Sequence, residues 1–199
     1  STEKWDWQAE FAAPFLLGLP ANAVAPGVQG QLGFGGSYFV ASAQSRNAAM
    51  IFPKQAFWRW KNLGGVSGQS LRVGRFEFGD GTERTPRNAT LSALKRDRVS
   101  QRLIGTFGFT HVGRSFDGFH YTMNETAANF TFVSAIPTRG VFQADGWGEI
   151  RAGFTYASYT REWGRGRHAA ETRVLGMYYQ DWRHVIKTDS RPSAIRRTD

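Results

Sequence analysis

Between residues 71 and 161 the chain alternates large apolar and small polar side chains at period two, and this restricts most of it to β-structure. Residues 71–78 (LRVGRFEF) put Leu71, Val73, Arg75 and Glu77 on one face and Arg72, Gly74, Phe76 and Phe78 on the other. Residues 118–124 set Gly118, His120, Thr122 and Asn124 against Phe119, Tyr121 and Met123. After a short polar turn, Asn129 and Thr131 oppose Phe130, Phe132 and Ser134. Residues 147–161 set Glu149, Arg151, Gly153 and Thr155 against Ile150, Ala152, Phe154 and Tyr156. Further strands are expected at 31–41, 49–61 and 173–182, the last with mixed faces that leave its orientation open. Only residues 90–104 (TLSALKRDRVSQRLI), free of Gly and Pro, read as a helix, inside an insertion over 82–104. The expectation is one all-β domain over residues 1–199.

No run of about 20 apolar residues exists, so a helical membrane span is excluded. The longest uncharged stretch, residues 11–28, is broken by Pro14, Pro20 and Pro26 and follows Glu3, Asp6 and Glu10, which fits neither a span nor a signal peptide. There is no cysteine, which removes disulfide scaffolds, thiolate metal sites and thiol chemistry. Aromatic residues make up 15% of the chain, too many for disorder. The formal charge of +9 comes from 20 Arg and only 5 Lys against 16 acidic residues, dispersed along the chain. Lysine suffices to neutralise nucleic-acid phosphates, whereas arginine is favoured where a planar fork grips a carboxylate within a partly desolvated wall. The charge therefore does not suggest a nucleic-acid partner.

The alternation fits two architectures. In a soluble sandwich or lipocalin-like barrel the apolar face is the core and charge lies outside. In a membrane barrel the apolar face meets lipid and the polar face lines a lumen. Here the polar faces are small and hydroxylic with single Arg or Glu residues. Trp58, Trp60, Trp147, Trp163 and Trp182 fall near segment ends, as an interfacial girdle requires. Periodicity alone leaves both open.

Three blocks, LRVGRFEFGDG (71–81), QRLIG (101–105) and GRSFDGFHY (113–121), resemble the alginate-export family of Gram-negative outer-membrane β-barrels in order and relative spacing. The resemblance implies an antiparallel up-and-down transmembrane β-barrel in the outer membrane, a basic lumen, and passage of an acidic polysaccharide. It also implies contact with lipid and lipopolysaccharide and with periplasmic export partners. Family barrels are longer, and residues 193–199 (SAIRRTD) lack a terminal aromatic residue. The expectation is an N-terminal portion of a longer barrel.

A polyuronate carries one carboxylate per sugar, so its conduit needs a series of weak cationic sites that permit both entry and release. Candidate pore-lining residues are Arg75 and Glu77, His120, and Glu149 with Arg151; Arg102 and Arg114 belong to the motif loop and strand start, near the mouth. Asp80 and Glu83 read as turn chemistry, and the WGRGRH segment (163–168) as a hairpin loop able to meet phosphates. No HExxH pair, GxSxG elbow or phosphate-binding loop occurs, so neither an enzyme nor a cofactor or metal site is expected. The competing expectation is a soluble barrel or sandwich that binds an anionic ligand on an arginine face.

Overall fold

The computed structural model describes residues 2–21 and 33–182. Strand β1 (Trp5–Ala12) leads to short β2 (Phe15–Leu16), helix α1 (Gly33–Ala41), short β3 (Ala48–Ala49), β4 (Phe52–Lys61) and β5 (Gln69–Phe76). A long connection carries helix α2 (Ala89–Leu94) and a π-helical turn at Lys95–Val99. It is followed by β6 (Phe116–Asn124), β7 (Ala128–Pro137), β8 (Ala152–Trp163) and β9 (Ala170–Asp181). The protein is thus mostly antiparallel β-sheet. Its main sheet has seven strands in the order β1-β4-β5-β6-β7-β8-β9, and β2 pairs with β3 apart from it. Among the described residues, β1 and β9 have no partner on their outer edges.

The register fixes the faces. Arg72 stands opposite His120, His120 opposite Val133, Val133 opposite Tyr156, and Tyr156 opposite Met177. One face therefore carries Phe57, Arg72, Phe76, Phe116, His120, Val133, Phe154 and Tyr156. Residues 77–115 fold over it, inserting Phe78 and Ile104 into a core with Phe57, Phe76, Phe116, Val133, Phe154 and Tyr156. We call this the covered face. The other, the bare face, presents Trp7, Trp58, Trp60, Val73, Phe119, Tyr159, Val174 and Tyr178, all exposed. A second core of Leu19, Tyr38, Phe39, Phe52 and Val112 joins α1 to the bottom of β4.

Several expectations are corrected by the fold. Residues 33–41, within the strand expected at 31–41, form α1; Tyr38 and Phe39 are buried on the second core, so packing overrides a glycine-rich, strand-like local pattern. Residues 147–151 precede β8 rather than opening it. Arg75 does not share a face with His120. Gly74 pairs with Gly118, which turns Arg72 toward His120 and leaves Arg75 with Leu71 and Val73 on the bare side. A Cβ on Gly74, whose φ is +123°, would lie 2.4 Å from the Ala56 carbonyl oxygen, so this close approach of β4 and β5 requires glycine. Residues 22–28 of the uncharged stretch, residues 31–32 and the charged segment 193–199 lie outside the described residues.

The connections are asymmetric. At one end of the sheet the strands are joined by residues 62–68, 125–127 and 164–169; at the other, by residues 13–51, 77–115 and 138–151.

Candidate functional site: the covered face and its loop

The GDG turn after β5 begins the covering loop, and Asp80 closes it. The Asp80 carboxylate is 1% exposed; its Oδ1 accepts hydrogen bonds from the backbone N–H of Leu103 at 2.9 Å and of Ile104 at 2.8 Å. The Gln101 N–H donates to the Asp80 carbonyl at 2.7 Å, and a Cβ on Gly79 would meet Gln101 Cγ at 2.7 Å. Two motif blocks about twenty residues apart in sequence are thereby clasped together. The third is joined to the first through Arg75, whose guanidinium holds both Asp117 oxygens, at 2.7 and 2.6 Å, and the Gly146 and Trp147 carbonyls. These residues thus form a structural set that shapes the loop and its rim.

Ion-paired groups hold the loop to the strands, Lys54 with Glu77 among them. Arg173 of β9 donates to Glu83 at 3.1 Å, to Asp80 at 3.4 Å and to the Tyr156 hydroxyl, while Tyr156 donates to Glu83. Lys95 on the π-helical turn reaches Glu171 at 2.7 Å. Arg84 pairs with Glu162 at 3.2 Å and donates to the Glu125 and Thr126 carbonyls. Burial alone would raise the Glu83 carboxyl; the Tyr156 hydroxyl and the Arg173 charge outweigh it and hold the pKa below its ordinary 4.5. A depressed carboxyl contributes stability that is complete above its unfolded value and is lost as pH falls through its folded value. The loop should accordingly stay clamped at neutral pH and loosen in acid below the usual glutamate range. Digestion with an acid-tolerant protease across that range checks this: cleavage within residues 82–100 should rise with acidity, and Glu83→Gln should flatten the profile.

The sequence-predicted site residues fall into separate places. His120 lies on the covered face. Arg75, Glu149 and Asp117 gather at the long-loop rim, where partial desolvation and the neighbouring Asp117 carboxylate push Glu149 up. Glu77 pairs with Lys54 at 3.1 Å. Arg102 is exposed and donates to the Asp97 carbonyl at 3.0 Å. Arg114 lays its guanidinium over Phe107 at 5.1 Å, and Arg151 is exposed just before β8. The structure does not bring these into one array.

Sequence reasoning missed Arg72. Its guanidinium lies over the rings of Phe57 at 4.9 Å and Phe76 at 4.8 Å and bonds His120 Nδ1 at 2.6 Å. It makes no ion pair among the described residues. Arg72 and His120 line a cavity of about 370 Å³ whose other walls include Glu77, Phe78, Glu83 and Gln101. The available signal was its period-two face: Arg72 shares it with Gly74, Phe76 and Phe78, the aromatic side of the strand.

Comparison with protein-family models, with curated proteins and with solved structures finds no match to the chain.

Proposed function

We propose that this chain forms wall of an outer-membrane β-barrel channel that passes an anionic solute, an acidic polysaccharide such as alginate being the leading class. The bare face carries this reading. Along the strands it holds Arg75 and Asp117, paired at the long-loop end, and Arg161, laid over Trp163 at the short-turn end. Between them the described strand positions are uncharged and mostly apolar. On the covered face, by contrast, Asn129, Thr131, Ser158 and Thr160 are buried at 2% exposure or less. A water-soluble sheet would carry polar side chains on the bare face, because a large apolar surface left in water is costly.

Other observations support the same reading. Strands β4 to β9 run from 8 to 12 residues, the span of transmembrane strands at about 9–11 residues. Trp5, Trp60 and Trp163 mark the short-turn end, as an interfacial belt does. Short turns at one end and long loops at the other match the periplasmic and extracellular ends of outer-membrane barrels. No helix among the described residues is long and apolar enough to cross a membrane, so contact with lipid would rest on strands.

Planar-bilayer recording of the full-length protein tests the proposal. The expected result is a conductance with a reversal potential toward the anion, reduced by added polyuronate. A protein that stays dispersed in water without detergent, or a cation-selective pore, overturns it.

A further inference from the structure

We propose that Arg161 and Trp163, at the short-turn end of the bare face, form a headgroup site for an anionic phospholipid such as phosphatidylglycerol. The inference rests on the membrane reading of that face, and it adds one specific lipid contact and its place.

The first argument is position. The strands of the bare face carry charge at two levels. Arg75 and Asp117 pair at the long-loop end, where Asp117 stands opposite Ile136 and the neighbouring Ala135 opposite Phe154. Arg161 lies seven residues beyond Phe154 on β8. The two levels are therefore about eight residues, or about 26 Å, apart along the strand. A tilted strand needs a similar length, about 9–11 residues, to cross a bilayer. With Arg75 and Asp117 at one boundary, Arg161 falls at the other, where headgroups rather than acyl chains surround it.

The second argument is charge. Arg161 is exposed and has no carboxylate partner among the described residues. The acidic residues beside it in the sheet, Glu162 and Glu171, stand opposite each other on the covered side and are taken by Arg84 and Lys95. Arg165, on the turn between β8 and β9, is exposed as well. This corner of the sheet thus offers two exposed guanidinium groups, and Asp117, the one acid on the bare strand faces among the described residues, is at the opposite end.

The third argument is preorganisation. The Arg161 guanidinium lies 4.3 Å from the centre of the Trp163 ring, and the indole N–H donates to the Thr172 hydroxyl at 3.1 Å. Strand β9 thereby fixes the ring, and the ring fixes the plane of the guanidinium. Stacking uses the face of that group and leaves its N–H fork for acceptors. A phosphodiester has two oxygens that take such a fork bidentately.

These features also select the lipid. Phosphatidylcholine carries its own cation beside the phosphate, whereas phosphatidylglycerol presents an uncompensated charge to the two arginines. The basic hairpin over residues 163–168 is thereby assigned to phospholipid, because lipopolysaccharide occupies the leaflet at the long-loop end.

Native mass spectrometry of the detergent-solubilised full-length protein tests the site with four probes: phosphatidylglycerol, phosphatidylcholine of the same chains, inorganic phosphate and lipopolysaccharide. Phosphatidylglycerol should bind about fivefold or more tightly than phosphatidylcholine. Arg161→Gln should abolish most of that preference, and Arg161→Lys should keep part of it. Arg139→Gln, at an exposed pair with Asp145 in a long loop, should leave it intact. Equal binding of the two phospholipids, or an undiminished preference in Arg161→Gln, overturns the proposal. Inorganic phosphate that displaces phosphatidylglycerol at equal concentration overturns the lipid assignment, and lipopolysaccharide that displaces it overturns the choice of leaflet and with it the proposal. If Arg161→Gln does not fold, Trp163→Leu, which removes the stacked ring, carries the same comparison. A protein that prefers phosphatidylglycerol through Arg161 yet conducts nothing in bilayers keeps the headgroup site and loses the channel; a conducting protein whose lipid preference ignores Arg161→Gln does the reverse.

Discussion

Arginine in place of Val73 should keep the chain from folding into a bilayer. Val73 is 42% exposed in the middle of β5, opposite Trp58 on one side and Phe119 on the other. On a lipid-facing strand near the midplane, arginine costs about 2–4 kcal/mol. If the same face met water, the guanidinium would be solvated there, and substitutions at exposed sites away from special features usually change stability by about 0.5 kcal/mol or less. The sign of the effect therefore reports the solvent. Folding into phosphatidylcholine vesicles, followed by protease protection, should fall at least about tenfold for Val73→Arg and for Phe119→Arg. Wild-type insertion by both variants would sink the membrane reading of this face.

The second large effect concerns the loop. Arg173→Met should release residues 77–105 from the sheet without unfolding it. The side chains of Glu83 and Asp80 are 0% and 1% exposed, and Arg173 is their shared cation. Removing one member of a buried ion pair costs about 3–5 kcal/mol, because the remaining charge stays buried and uncompensated. Where opening is fast, proteolysis follows the open population, so cleavage within residues 82–100 should rise about a hundredfold or more. Glu83→Met together with Arg173→Met should recover most of the protection, since Asp80 keeps its two backbone donors at Leu103 and Ile104. A double variant as labile as the single one would show that the ion pair is not what holds the loop.

Much of the sheet was legible because β6 and β7 alternate cleanly and their faces differ sharply. His120, Thr122, Asn129 and Thr131 share the covered face as their alternation implies. The face of β5 was not legible from its own residues. Each side carries one arginine, Arg72 or Arg75, and only the register with β6 decides which turns toward His120. Helix α1 was hidden because Gly33–Ala41 is apolar, contains glycine and has no acidic residue in its first turn; Tyr38 and Phe39 earn their helical placement only through contacts with Phe52 and Val112. The clasp at Asp80 was read as a turn, which is correct for its backbone. Its reach to Leu103 and Ile104 is a tertiary contact that no local pattern announces.

The strand order has a further consequence. Six antiparallel steps separate β1 from β9, so both edges of the sheet run in the same direction. Curling the sheet until these edges meet would create a parallel seam. Two copies set side by side in one orientation would also meet with like-directed edges. A ring that stays antiparallel throughout therefore has to insert an odd number of additional strands between β9 and β1. Any strand proposed to pair with these two edges can be judged first by parity, before its sequence is considered.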